Sequence, residues 1–114
     1  KLHSKYVSLL VEYNLKAKEY EYAYKKIKKV KWEYYTGKLS QEDLEKLKLE
    51  PFPFTLKSDI SIYLESDKDI IRALREKSEY DECVHILEEV IKELKSRTFQ
   101  LRDYIAWERF IGGQ

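Results

Sequence analysis

The chain is poor in the residues that break or cross-link a fold. Its 114 residues include three Gly, two Pro, one Cys, two His and no Met. A lone cysteine, Cys83, closes no internal disulfide, which suits a reducing compartment. Two histidines and one cysteine fall short of the clustered ligands that a metal site requires. Glycine occurs only at 37, 112 and 113, so there is no glycine-rich turn to cradle a phosphate or a dinucleotide. No apolar run approaches the ~18 residues needed to span a bilayer, and no signal peptide is visible. A chain that opens on Lys and contains no Met is expected to lack its native start, and with it an upstream segment.

Charge is what the chain has in excess. Charged residues make up 38% of it, against roughly 25% in an average soluble protein. Together with 43% apolar residues and few breakers, this predicts an all-α protein of long helices that share their cores. The net charge is only +1, but its distribution is uneven. Residues 1–38 hold ten Lys and four Glu, a balance of +6. Residues 39–114 hold 12 basic and 17 acidic residues, a balance of −5. A basic arm is joined to an acidic body.

The hydrophobic period organises the arm. Tyr6, Leu10, Tyr13, Ala17, Tyr20, Tyr24, Ile27, Lys31 and Tyr34 alternate steps of four and three, a heptad seam. Gly37 ends the helix, because glycine takes the left-handed conformation without steric cost. Lys31 stands on this seam where an apolar residue is expected. A buried unpaired lysine is costly, so either the seam opens at Lys31 or Lys31 faces water. At 100° per residue, Lys18, Tyr22, Lys25, Lys29 and Trp32 lie on another side of the same helix. Lysines and aromatics alternate along that stripe.

Beyond Gly37 the pattern predicts one domain over 1–114 in three parts. Residues 1–37 form the basic helix, 38–65 an irregular connection, and 66–111 the C-terminal helices. Ser40 caps a short helix that stops before Pro51, and "EPFPF" is extended. Residues 56–64 alternate Ile60, Ile62 and Leu64, which predicts a short edge strand or an extended arm. Ser66 is the expected N-cap of the next helix. The apolar pattern lapses across "REKSE", which predicts two helices, 67–78 and 79–110, bent or joined near Ser78. Gly112-Gly113 ends the last. So many amphipathic faces exceed what one small bundle buries, so homo-oligomerisation is expected, with a monomeric helical hairpin carrying exposed tyrosines as the alternative.

No residues assemble into a catalytic set. Cys83 and His85 are two apart, so they point to different sides of a helix, and Cys83 reads as a small core residue. Glu88, Glu89 and Glu93, with Lys92 and Lys95 nearby, read as a solvated helix face. No enzymatic activity and no cofactor is expected.

The run "KKIKKVKWEYYTG" (25–37) invites a different role. Lys25, Lys26, Lys28, Lys29 and Lys31 fall within seven residues, and no acid lies between 25 and 32. Trp32, Tyr34 and Tyr35 are interleaved with them. Single-stranded nucleic acid asks for this pairing: lysines neutralise phosphates and aromatic faces stack on bases, without reading sequence. Trp32 and Tyr34 are the candidate stacking residues. Two rivals share the same charge. The lysines could dock on the acidic body of a neighbouring copy, as in a coiled-coil scaffold protein that binds no DNA. A membrane surface is disfavoured, because it asks for a strongly apolar opposite face and here that face is tyrosine-rich.

These residues carry a family resemblance. "KVKWEYYTG" (29–37) resembles the basic–x–basic–x–x–Tyr-Tyr-Ser/Thr-Gly signature of the UvsY recombination mediators of T-even-like bacteriophages. "SDKDI" (66–70), "KSRTF" (95–99) and the "RFIGGQ" tail follow in order. The resemblance implies a small helical ring, a hexamer or heptamer, that binds single-stranded DNA without sequence preference. It implies two protein partners, a RecA-like recombinase and the single-strand-binding protein that the recombinase replaces. It places the protein in the cytoplasm of an infected bacterial host. It assigns DNA binding to Lys29 and Lys31, with Lys25, Lys26 and Lys28 in support. Oligomer assembly falls to the last helix, around Leu94, Leu101, Ile105 and Phe110. Lys31 stands where an Arg can occur, and a lysine lacks the bidentate fork.

Overall fold

The computed structural model describes residues 2–53 and 56–113. Within them all regular secondary structure is helical and there is no strand. Helix α1 (Leu2–Tyr35) and helix α4 (Lys68–Gly112) form an antiparallel hairpin. Between them lie the short helices α2 (Gln41–Lys46) and α3 (Ile60–Ser66), the latter preceded by a 3-10 turn at Lys57–Asp59.

The α1 seam is the one the spacing predicts. Every position from Tyr6 to Tyr34 in that heptad is half-buried or buried, while the residues between are mostly exposed. Its partner on α4 runs Ile70, Ala73, Lys77, Tyr80, Val84, Leu87, Ile91 and Leu94, again in steps of three and four. The expected break near Ser78 is absent, and α4 is one continuous helix. Two polar seam residues bridge the lapse in the apolar pattern. The Tyr80 ring stacks on Tyr20 at 4.6 Å and tilts against Tyr13 at 6.0 Å. Lys77 donates to Asp81 one turn on, at 2.7 Å. With no Gly or Pro from 67 to 111, nothing in the backbone interrupts the helix.

Residues 56–64 form neither a strand nor an extended arm. Leu56 is extended, and helix begins at Lys57. Ile60 and Leu64 are four apart and share one half-buried helical face, while Ile62 stays exposed. A lone strand would have left its backbone groups unpaired, whereas α3 satisfies them internally. Ser66 is also not the cap of the last helix. It is the final residue of α3, and its hydroxyl donates back to the Ile62 carbonyl at 2.8 Å. Asp67 caps α4 instead, accepting from the amides of Asp69 at 2.9 Å and Ile70 at 3.1 Å.

The other helix ends follow local chemistry. Ser40 accepts from the Asp43 amide at 3.1 Å and starts α2. Gly37, at φ +73°, closes α1 with two bonds, Lys38 N–H to the Glu33 carbonyl and Gly37 N–H to that of Tyr34. Lys48, at φ +55°, makes the same closure for α2, through Leu49 N–H to Leu44 and Lys48 N–H to Glu45.

The molecule is a rod of 85 × 27 × 16 Å. Its radius of gyration is 24.6 Å, where a compact chain of this length would give about 13 Å. Two helices side by side make a thin core. Ala17, Ile70 and Ile91 are its buried apolar residues, Leu44 is buried in the connection on α2, and no described side chain is fully enclosed. His3 comes alongside Lys95, Thr98, Phe99 and Arg102, so α4 runs on past the start of α1. On that extension Leu101, Tyr104, Ile105, Trp107, Phe110 and Ile111 are all exposed.

Two substitutions test the helix closures. A Cβ at Gly37 would meet nothing within 4 Å, so the cost of Gly37→Ala is conformational alone, about 1–2 kcal/mol. Lys48→Gly removes a strained left-handed residue and should stabilise by about 0.5–1 kcal/mol. Urea midpoints should therefore move in opposite directions, and a shift in the same direction would contradict this account.

Candidate nucleic-acid interface

The lysine run divides into an exposed set and one engaged residue. Lys25, Lys26, Lys28 and Lys29 are exposed on α1. Lys25 has Glu21 at 3.4 Å and Lys29 has Glu33 at 4.0 Å, both one turn away and both on the surface. Such pairs contribute little in water and are readily exchanged for another anion. The Lys28 ammonium lies 5.8 Å from the Tyr24 ring centre. Lys18, Tyr22 and Trp32 are exposed along the same stripe, so the alternation of lysine and aromatic survives folding as a continuous face.

Lys31 points the other way. Its side chain is only 15% exposed and reaches Asp69 at 2.8 Å and Asp67 at 3.3 Å. The seam therefore neither opens at Lys31 nor leaves it facing water; two carboxylates from the start of α4 close it. Tyr35, one turn on, donates its hydroxyl to the same Asp67 at 2.5 Å. Asp67 is thus at once the cap of α4, the acceptor for Tyr35 and the counter-ion of Lys31. Sequence reading missed this cluster. The one signal was Lys31 on an apolar seam, but spacing offered only an open seam or water there, not a carboxylate partner.

The electrostatics follow from this packing. Burial alone would raise the Asp67 carboxyl, but the Tyr35 hydroxyl, the Ile70 amide and the Lys31 ammonium outweigh it and hold the group below the usual carboxylate range. For Lys31, burial disfavours the ammonium, yet Asp69 and Asp67 more than offset it and the net shift is upward. Burial first, and then Asp67, push the Tyr35 phenol well above its ordinary value.

The aromatics also divide. Tyr34 packs on Tyr35 at 5.3 Å and Phe52 at 5.5 Å, and its hydroxyl donates to the Glu50 carbonyl at 2.9 Å. Tyr35, Phe52 and Tyr63 extend this cluster, which fastens the connection to the end of α1. Trp32 remains 41% exposed, with the Lys38 ammonium 4.3 Å from its ring centre. Of the residues expected to assemble an oligomer, Leu94 is half-buried on the hairpin seam, while Leu101, Ile105 and Phe110 are exposed on the α4 extension. Cys83 is half-buried and His85 exposed. Among the described residues no group of three or more His, Cys, Asp or Glu gathers to hold a metal ion. Nor is any helix among them long and apolar enough to cross a membrane.

Fold and face define an elongated all-helical protein that presents one lysine-and-aromatic surface. The chain belongs to the family described as "Recombination, repair and ssDNA binding protein UvsY", which matches residues 1–114, its whole length. No curated protein and no solved structure matches it.

The Asp67 cluster has a defined pH signature. A depressed carboxyl contributes stability that is present above the unfolded aspartate value of about 3.9, and that is lost as pH falls through the lower folded value. Asp67→Asn can still cap α4 but lacks the charge. Its urea midpoint should be lower than the parent's at pH 7, and the gap should narrow as pH drops below about 4. Asp67→Ala also loses the cap and should cost at least about 1 kcal/mol. A gap between parent and Asp67→Asn that stays constant from pH 7 to pH 3 would remove Asp67 as the titrating group.

Proposed function

We propose that this protein binds single-stranded DNA without sequence preference. We propose further that it serves recombination by loading a RecA-like recombinase in place of the single-strand-binding protein. The observation that carries this reading is the exposed face of Lys25, Lys26, Lys28 and Lys29 on a chain matched over its whole length by the UvsY family. The exposed lysines neutralise phosphates and release counterions. Lys29, named by the family resemblance, lies on this face. Lys31, also named by it, is engaged with Asp67 and Asp69. Its role in this reading is to fix the DNA-bearing end of α1 against α4. A direct phosphate contact by Lys31 would require those two pairs to open.

A few lysines on one protomer bind weakly, and a closed homo-oligomer multiplies them through avidity. In this reading the ring is a hexamer or heptamer. The thin core and the exposed apolar residues of the α4 extension support self-association there, since a patch of this kind marks an interface more often than a free surface. Loading then consists of holding the strand in a shape that the recombinase can take over, once the competitor's grip is weakened. The setting is the cytoplasm of a phage-infected bacterium, and the protein acts there as a mediator without chemistry of its own.

Titration of a labelled oligonucleotide against salt tests the DNA reading. Binding should be present at low salt, and log K should fall linearly with log salt. Lys25→Ala/Lys29→Ala should reduce that slope by about 1.4, at about 0.7 per phosphate contact on a single strand. A double variant with an unchanged slope would take DNA off this face. No binding at low salt would favour docking of the lysines on a neighbour's acidic α4. Assembly has a separate test in light scattering. Leu101→Asp/Phe110→Asp should dissociate the oligomer without unfolding the hairpin, and an intact oligomer would exclude the α4 extension as its interface. Leu94 is unsuitable for this test because it also packs within the hairpin seam.

A further inference from the structure

Two depressions meet at Trp32. One is a shallow trough lined by Lys25, Lys28, Lys29, Trp32 and Leu64. The other is a cleft of about 700 Å³ at the corner where α1 turns towards α3. Trp32, Tyr35, Phe52 and Leu64 contribute to its walls, and Lys38 and Lys57 also line it. Trp32 and Leu64 belong to both, so trough and cleft adjoin. Among the described residues no carboxylate lines either one. The volume lies within the roughly 300–1,000 Å³ typical of small-ligand sites.

The chemistry of this cleft is specific in kind. It has aromatic and apolar walls, two flexible cations, and an open approach from a row of lysines. A flat apolar group attached to anions fits it, and an unstacked nucleobase flanked by phosphates is that group. Resting on the single-stranded DNA reading above, we propose that the cleft is a nucleobase subsite. One base of the bound strand enters it and stacks on the Trp32 indole, while neighbouring phosphates meet Lys57 and Lys38. The Lys38 ammonium now sits over the indole in a cation–π contact. It is an exposed side chain on a long flexible arm, so it moves to a phosphate as the base takes the ring face. Tyr34 has no such part, because its ring is packed between Tyr35 and Phe52. The strand thus runs along α1 from Lys25 towards Gly37, its phosphates on the exposed lysines and one base anchored at the corner.

The test uses the full chain with Trp107→Phe, which leaves Trp32 as the sole indole. Trp107 is exposed on the α4 extension, away from the cleft, and because that extension is the proposed assembly face the Trp107→Phe chain should first return the parent's mass in light scattering. Oligothymidylate and an abasic strand of equal length are titrated at one salt concentration. Indole emission and the anisotropy of a label on the strand are both followed. Oligothymidylate should quench Trp32 and bind roughly five- to a hundredfold more tightly than the abasic strand. In the same background Trp32→Ala should shrink that difference, leaving abasic affinity and the salt slope as they were. Trp32→Phe should keep part of it. Lys57→Ala should weaken both strands alike and lower the slope by about 0.7. Equal affinity for the two strands with unquenched Trp32 would overturn the subsite while leaving phosphate-driven binding intact; a cleft that takes an acidic peptide instead gives that outcome. Absence of binding by either strand at low salt would overturn the DNA reading itself and the subsite with it. If Trp32→Ala does not fold, quenching in the Trp107→Phe chain and the Trp32→Phe affinities decide between these outcomes.

Discussion

The Asp67 carboxylate holds the architecture together. It terminates the orphan amides at the start of α4, accepts the Tyr35 hydroxyl and neutralises Lys31. At 6% exposure it is the one buried charged residue among those described, and no buried side-chain polar atom among them lacks a hydrogen-bond partner. A buried charge of this kind is costly unless paired and hydrogen-bonded. The geometry meets that condition from two helices at once, so the end of α1 and the beginning of α4 are locked in register. A heptad seam alone specifies register weakly, because sliding by seven residues restores the pattern. A single polar pairing along the seam removes that freedom. The Tyr20–Tyr80 stack repeats the same logic further along.

This lock bears on function through placement. The exposed lysines occupy the C-terminal half of α1, directly before the locked segment. The aromatic cluster of Tyr34, Tyr35, Phe52 and Tyr63 then pins the connection and α3 to the same corner. Trp32, Lys38 and Lys57 come from three different segments yet line one cleft. The basic face is thus held on a stiff support at one end of the rod, while the exposed apolar residues of α4 lie towards the other. Under the function proposed above, this separation would let a symmetric assembly repeat the basic face without covering it.

The two ends also differ in how they are stabilised. Near Asp67 the structure relies on capping, ion pairing and ring packing, which are local and satisfied within one chain. Beyond Arg102 the last turns of α4 have backbone hydrogen bonds but, among the described residues, no partner helix. Isolated helices owe most of their stability in proteins to packing of an apolar face. The α4 extension has that face, in Leu101, Ile105, Trp107 and Phe110, exposed to solvent.

By itself the sequence determined the helical class, the α1 seam from Tyr6 to Tyr34, the Gly37 stop, the Ser40 cap and the lysine–aromatic stripe. Each is a property of periodicity or of a local backbone preference, which short segments carry alone. The family signature around residues 29–37 was legible for the same reason, since its residues are contiguous. Tertiary structure decided the rest. Spacing read Ile60, Ile62 and Leu64 as a strand, because five alternating residues are ambiguous until a partner is known. It broke α4 at "REKSE", because Lys77 and Tyr80 look polar until Asp81 and Tyr20 are beside them. It set Lys31 on the seam without a partner, because the carboxylates that claim it lie 36 and 38 residues away in sequence. And it listed Trp32 and Tyr34 as equals, when only packing against Phe52 and Glu50 separates the committed ring from the open one. Local patterns fix which helices form; pairings across the chain fix which side of each helix remains available.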